Sequence, residues 1–266
     1  MAQNDVFDLV IIGAGTGGYS TALRAADLGL RVALVERAEI GGTCLNRGCI
    51  PTKALLHAAE LVDGVREGAE RWGIRATVDG IDYPVLAAAR DDVVAKNVNG
   101  LGSHLRSDGV EVVQGDARLA SPRDVVVGDR RLSATKGVVL ATGSAPSTIP
   151  PLPIDGTRII TSDEALKLDH VPASAIVVGA GSVGVEFASF WASVGAKVTL
   201  IEALPTLLPN EDADLGRELA RSLKRRGIDA FTGAKVVDVT AKDDGVSVAF
   251  EAGERQTVTA ELVLSA

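Results

Sequence analysis

The chain has 266 residues, long enough for two ordinary domains with real cores; 46% of them are hydrophobic, and 27 basic against 35 acidic side chains give a net charge of −8. An acidic balance without a long basic run argues against nucleic acid and anionic membrane as partners. No signal-peptide pattern precedes the first strand, Asp5 and Asp8 interrupt its start, and the run from Leu9 to Ile12 is far too short to span a bilayer, so the chain reads as cytosolic.

Val6 to Ile12 predicts a strand, followed by Gly13-x-Gly15-x-x-Gly18, a small-residue helix to Leu28, and a second strand from Arg31 to Val35 ending in Glu36. This is a complete βαβ nucleotide fingerprint. Glycine lets the turn tighten and a pyrophosphate approach the backbone, while the helix N-terminus offers free N–H groups and positive potential.

Gly41 to Lys53 reads GGTCLNRGCIPTK and holds both cysteines of the chain, Cys44 and Cys49. Five residues along a regular helix rise about 7.5 Å, whereas bridged Cα atoms usually lie within about 6.8 Å. A redox-active pair here therefore needs an irregular turn, which Gly48 permits. Pro51 and Thr52 suit the first turn of a restarting helix, whose N-terminus stabilises a thiolate at Cys49. A structural disulfide, a zinc site using His57 and inert buried thiols are the alternatives. So short a bridged loop adds little stability, and His57 brings the N/S ligands only to three where a closed zinc site uses four. No metal site is expected.

Pro84 to Arg106 is helical in pattern, and Val110 to Val113 a short strand. Asp116 to Leu132 predicts antiparallel strands with turns at Ser121-Pro122 and Gly128-Asp129, and Gly137 to Leu140 a buried strand leading into Ala141-Thr142-Gly143. Three prolines within Ile149 to Pro153 mark a domain boundary. Ile176 to Val178 then reopens the fingerprint with Gly179-x-Gly181-x-x-Gly184, a helix to Val194, and a strand from Lys197 to Ile201 ending in Glu202. In each copy 23 residues separate the first glycine from the terminal acid, the separation expected of a carboxylate that reaches a ribose. Asp212 to Arg226 predicts a helix closed by Gly227, with strands near Ile228, Lys235 to Thr240, Val246 to Phe250 and Thr257 to Leu264.

With two dinucleotide folds and a Cys-x4-Cys turn in place, the chain resembles the flavin-dependent pyridine nucleotide–disulfide oxidoreductases. GGTCLNRGCIPTK marks the disulfide reductases as a group, whereas GAGSVGVEFA and LLPNEDAD lean toward the lipoamide branch, the dihydrolipoamide dehydrogenases. The likeness runs along the whole chain. It implies an α/β protein of two three-layer Rossmann-like domains, residues 1–149 for FAD with the redox segment and 150–266 for NAD, without the family's C-terminal dimerisation domain. FAD would be held by Gly13, Gly15, Gly18 and Glu36, by Gly42, Thr43 and Lys53 of the redox segment, and by Thr142 and Gly143 closing over it. NAD would be held by Gly179, Gly181, Gly184 and Glu202, and no Arg or Lys from Ala203 to Asn210 stands ready for a 2′-phosphate.

The resemblance implies that dihydrolipoamide is oxidised to lipoamide: its thiolate attacks Cys44, the released Cys49 thiolate passes electrons to the flavin, and a hydride goes to NAD. Lipoyl domains of 2-oxo acid dehydrogenase or glycine cleavage complexes would be the partners, and the homodimer belongs to the full-length family. Glutathione-like, mycothiol-like or mercuric substrates are the alternatives, as is a catalytically silent flavin-binding fragment.

Two charges stand out from their surroundings. Lys53 opens the apolar stretch Ala54-Leu55-Leu56, and Glu186 interrupts an apolar helix. An unpaired buried charge is costly, so a buried Lys53–Glu186 pair across the two domains is expected, beside the flavin as in the family. None of His57, His104 and His170 stands in the family's catalytic-base context. The base, the second flavin-contacting segment and the dimer domain are expected beyond Ala266, so that the 266 residues alone would not turn over.

Overall fold

The computed structural model describes residues 4–242 and 245–266, whose contacts divide the chain into two packing units: Met1–Pro51 with Asp91–Ala145, and Thr52–Arg90 with Pro146–Ala266. These are units of packing. The assignment of one cofactor to residues 1–149 and another to 150–266 belongs to the proposed function.

In the first unit, β1 (Asn4–Ile12), α1 (Thr16–Asp27) and β2 (Val32–Glu36) form the expected βαβ unit, with Ile12 opposite Val35 in parallel register. β3 (Glu111–Gln114) extends the parallel sheet beyond β2. β4 (Ala117–Ser121), β5 (Asp124–Val127) and β6 (Arg130–Leu140) form an antiparallel meander whose last strand lies parallel to β1, giving the order β3-β2-β1-β6-β5-β4. Successive side chains of a strand face opposite ways. Ile11 and Leu34 pack with Ala22 and Ala25 of α1, while Val10, Ala33 and Val35 pack with Val125 and Leu132 on the other face. Burial on both faces explains why β2 reads as a continuous apolar run.

α2 (Gly42–Arg47) and α3 (Cys49–Asp63) follow β2, separated at Gly48, whose φ of −145° and ψ of −114° break the helix. The irregular turn expected between the two cysteines is present. Along α3, Leu55, Ala59 and Val62 recur at helical spacing as its buried stripe. α4 spans Tyr83–Ser107.

The second unit repeats the plan. β7 (Ile159–Ile160) and α5 (Ser162–Ala165), the latter capped reciprocally by Thr161 and Glu164, lead to β8 (Ser174–Val178), α6 (Ser182–Ser193) and β9 (Lys197–Ile201). α7 (Ala213–Arg225) and β10 (Asp229–Phe231) follow, then β11 (Lys235–Lys242), β12 (Gly245–Ala252), β13 (Glu254–Ala260) and β14 (Leu262–Ser265). The parallel sheet has the order β10-β9-β8-β14-β7, and β11-β12-β13 form a separate antiparallel sheet. Phe187, Phe190 and Trp191 of α6 anchor the helical layer on one face, and Val246, Val248 and Phe250 of β12 cover the other. Helices, parallel sheet and antiparallel sheet make three layers, and the fold is the mixed α/β, Rossmann-like architecture expected.

Two local expectations are corrected. The run from Thr257 to Leu264 is two strands in two sheets, broken at Glu261, whose backbone N–H turns aside to the Ser174 hydroxyl. Gly137 to Leu140 is the last part of the longer β6 and is only half-buried, with Leu140 64% exposed.

Candidate active site

The two glycine turns share one geometry. Gly13 has φ +99°, and a Cβ there would stand 2.2 Å from the Ala141 carbonyl oxygen; Gly179 has φ +107°, and its Cβ would stand 2.1 Å from that of Ala266. A Cβ on Gly18 would strike the Gly13 carbonyl at 1.7 Å, and one on Gly184 the Gly179 carbonyl at 1.9 Å. These outer glycines serve the packing of helix on strand. The middle ones do not: Gly181 has open space beside it, and Gly15 has nothing nearer than the Gly42 Cα at 3.8 Å. Gly15 and Gly181 are the N-caps of α1 and α6, with φ/ψ of −72°/−174° and −71°/−175° and no side-chain cap. Uncapped N–H groups at an open turn form a cradle for an anion.

The terminal acids are also held alike. Glu36 Oε2 accepts from the Ala14 N–H at 2.7 Å and Oε1 from the Ala38 N–H at 2.9 Å. Glu202 accepts from the Ala180 N–H at 2.7 Å and the Leu204 N–H at 2.7 Å. Each carboxylate oxygen keeps a second acceptor site, enough to receive a ribose hydroxyl.

In the first unit, Gly13, Gly15, Glu36, Gly42, Thr43, Thr142 and Gly143 line one cleft of about 240 Å³. Gly18 lies behind it, under Gly13. The cleft also takes in Arg37, Arg47, Asp116 and Ser144, which no motif in the sequence marks as cofactor-binding. Arg37, Asp116 and Ser144 share a signal of position, since each lies within a few residues of a strand end at the carboxyl edge of the sheet, where open α/β sheets bind ligands, whereas Arg47 closes α2.

The redox segment packs on the same turn. Gly41 and Gly42 have φ of +97° and +57°, and a Cβ on Gly42 would stand 2.5 Å from the Gly15 Cα. Only a glycine doublet brings α2 this close to the first glycine turn. Cys44 on α2 is half-buried, Cys49 at the start of α3 is exposed, and both are free thiols. They hydrogen-bond each other, and Cys44 also meets the Thr16 hydroxyl; burial first, then the Cys49 thiol, pushes the Cys44 thiol above its ordinary range, against a smaller downward pull from Thr16. Cys44 therefore holds its proton while its neighbour sits in the first turn of a helix. Nothing in the sequence pointed to Thr16.

Lys53 and Glu186 do meet, Nζ to Oε1 at 2.5 Å, but the expected burial is corrected: the side chains are 57% and 27% exposed. Both also lie in the same packing unit. Lys53 stands on the face of α3 opposite the Leu55 stripe, which leaves its ammonium in solvent. Lys53 belongs to the second packing unit, whereas the lining of the first cleft comes from the first. His57 pairs with Glu60 on α3, His104 with Asp108 just past the end of α4, and His170 lies between Asp169 and Glu261. Among the described residues no helix is long and apolar enough to cross a membrane, and no group of three or more His, Cys, Asp or Glu is arranged to hold a metal ion.

Residues 7–266 match the pyridine nucleotide-disulphide oxidoreductase family. Dihydrolipoyl dehydrogenase from Chlorobaculum tepidum is 41% identical over 266 residues, covering 98% of this chain and 56% of the relative. That from Bacillus subtilis is 38% identical over 273 residues, covering 97% and 57%. Of solved structures, LpdA from Mycobacterium tuberculosis matches with a TM-score of 0.85 at 28% identity, covering 99% of this chain and 58% of that one. The HOCl-induced flavoprotein disulfide reductase RclA from Escherichia coli, solved as a Cu(II) complex, matches with a TM-score of 0.80 at 30% identity over 98% and 56%. The chain spans about half the length of the curated relatives it matches.

Proposed function

The chain belongs to the pyridine nucleotide-disulphide oxidoreductase family, and on that premise we propose that it oxidises dihydrolipoamide to lipoamide, with Cys44 and Cys49 as the redox pair, FAD in the first glycine turn and NAD in the second. The observation that carries this reading is the packing of the cysteine-bearing segment directly on the first turn, Gly42 against Gly15. The residues present fit a dinucleotide in each copy. An open middle glycine, an uncapped helix start and a backbone-oriented carboxylate recur together.

In the disulfide form of the pair, a substrate thiolate attacks the Cys44 sulfur, the Cys44–Cys49 bond breaks, and Cys49 leaves as a thiolate held at the start of α3. The second substrate thiol, once deprotonated, attacks the substrate sulfur of the mixed disulfide and releases Cys44. Two electrons move from substrate to protein, and Cys44 ends protonated, as its environment favours. Bound FAD and NAD supply the two-electron acceptor chemistry that restores the disulfide. Glu36 and Glu202 orient the adenosine riboses, and the glycine turns receive the pyrophosphates. Lipoyl-bearing complexes of the 2-oxo acid dehydrogenase or glycine cleavage type are the proposed partners.

The test is the chain joined to the C-terminal part of a relative, assayed for bound flavin by absorbance and for NAD reduction with dihydrolipoamide, beside reduced glutathione and mycothiol, and for mercuric-ion reduction; the 266 residues alone are expected not to turn over. Turnover with dihydrolipoamide above the others supports the reading. Preference for another of these substrates moves the chain to a different branch of the family.

A further inference from the structure

Ala180, between the first two glycines of the second turn, is fully buried and held at both ends of its backbone. Its N–H donates to Glu202 Oε2, and its carbonyl accepts from the Leu208 N–H at 2.9 Å. Ala14 in the first turn is held the same way, by Glu36 and by the Gly41 N–H at 2.8 Å. The internal repeat thus extends past the fingerprint to a pin: a residue beyond the second strand, with positive φ, that reaches back over the glycine turn.

In the first copy the pin is a glycine, for which φ +97° is no hardship. In the second it is Leu208, with φ +49°, the one non-glycine of positive φ among the described residues. It also precedes Pro209, and a pre-proline residue is steered toward extended backbone. Such a conformation persists only where its surroundings impose it, and it tends to be kept where it has a use. Leu207 is buried in the core beside it, and Gly216 of α7 lies so close to the Leu207 carbonyl that a Cβ there would stand 2.5 Å away, so the segment is fixed on both sides.

We infer that Leu208 is a positioning residue of the second dinucleotide site, its left-handed backbone pinning Ala180 so that the glycine turn is shaped before the cofactor arrives. The inference rests on reading the second fold as a nucleotide site. With both polar groups of Ala180 already used, the turn presents its following N–H groups in one orientation. Releasing the pin lowers the fraction of molecules competent to bind, and the apparent dissociation constant rises in proportion.

The test is a series at position 208, with NAD binding measured by calorimetry and flavin content and thermal midpoint as controls. Leu208→Val, whose β-branch resists positive φ, is expected to weaken NAD binding about tenfold with flavin content unchanged. Leu208→Gly and Leu208→Asn, which accept the left-handed backbone, are expected to bind within about twofold of wild type. Leu208→Thr, equally β-branched, is expected to behave like the valine variant and serves where that variant does not fold. NAD binding by the valine and threonine variants equal to wild type, or a loss in the glycine variant as large as in the valine variant, would overturn the inference. Wild-type protein that binds no NAD would overturn the nucleotide reading itself, and this inference with it.

Discussion

Lys53 Nζ stands 2.5 Å from Glu186 Oε1 while more than half of the lysine side chain remains in solvent. The pair joins α3 to α6 within one packing unit, and its exposure sets its worth. Ion pairs of this kind contribute about 0.2–1 kcal/mol, far from the ~3–5 kcal/mol that breaking a buried pair costs. A double-mutant cycle of Lys53→Ala and Glu186→Ala, followed by urea unfolding, should give a coupling below about 1 kcal/mol that shrinks in high salt. A salt-insensitive coupling of several kcal/mol would mean that the pair is buried in the working protein.

The fit of Gly42 against Gly15 leaves no room for a methyl group. Gly42→Ala combines a strained φ with a contact of 2.5 Å to backbone, and should destabilise the protein by about 1–3 kcal/mol and cost it bound flavin. Gly17→Ala, in α1 with nothing within 4 Å of its Cβ, should be neutral or stabilise by up to about 1 kcal/mol. Thermal midpoints and flavin absorbance of the two variants decide, and equal behaviour would mean that the close packing is not maintained.

His170 lies between two carboxylates, with Nδ1 2.7 Å from Asp169 and Nε2 2.8 Å from Glu261. Asp169 first and Glu261 second raise its pKa above the ordinary imidazole value. A group whose folded pKa is raised stabilises the fold fully below its unfolded value, about 6.5, and the contribution fades as pH climbs through the raised value. Asp169 and Glu261, both lowered, act in the opposite sense and lose their contribution in acid, below the carboxylate range. The thermal midpoint of wild type should therefore decline from about pH 6.5 upward relative to that of His170→Gln. Parallel profiles for the two proteins would remove the histidine from the account.

The periodic features were legible in the sequence because local chemistry sets them. Both fingerprints, the break at Gly48, the meander turns at Ser121-Pro122 and Gly128-Asp129, and the long helix near Pro84 to Arg106 all follow from glycine, proline and apolar spacing. What tertiary contact decides was not legible. Glu261 splits an apparently continuous strand because its neighbourhood offers the Ser174 hydroxyl, the Ala173 N–H and His170. The lone acid in that run was the available signal. Leu208 precedes a proline and reads as extended, so its positive φ is invisible without the Ala180 carbonyl that it reaches. Lys53 reads as stranded because apolar residues follow it in the sequence, whereas the helix turns them to its other face.

Glu202 accepts two backbone N–H groups with its two oxygens. An amide has only one oxygen, so Glu202→Gln leaves one of those donors without a partner and should cost about 1–3 kcal/mol of stability. It should also erase much of the discrimination against NADP, which the carboxylate repels. Titration of both cofactors into wild type and variant tests this. Tighter NADP binding by wild type would refute the assignment.

The thiols differ in setting, Cys44 half-buried with its pKa raised and Cys49 exposed at a helix start. In flavin-loaded protein, Cys44→Ser should therefore keep a long-wavelength thiolate-to-flavin absorbance band that Cys49→Ser lacks. The reverse pattern would exchange their roles.

The most direct test of the central claim counts thiols. Protein isolated in air, unfolded anaerobically and titrated with a thiol reagent should show none of its two cysteines free, and after one equivalent of dihydrolipoamide, excess removed, it should show both. Two free thiols before any reductant, or no change after it, would contradict a Cys44–Cys49 redox pair that takes its electrons from a dithiol.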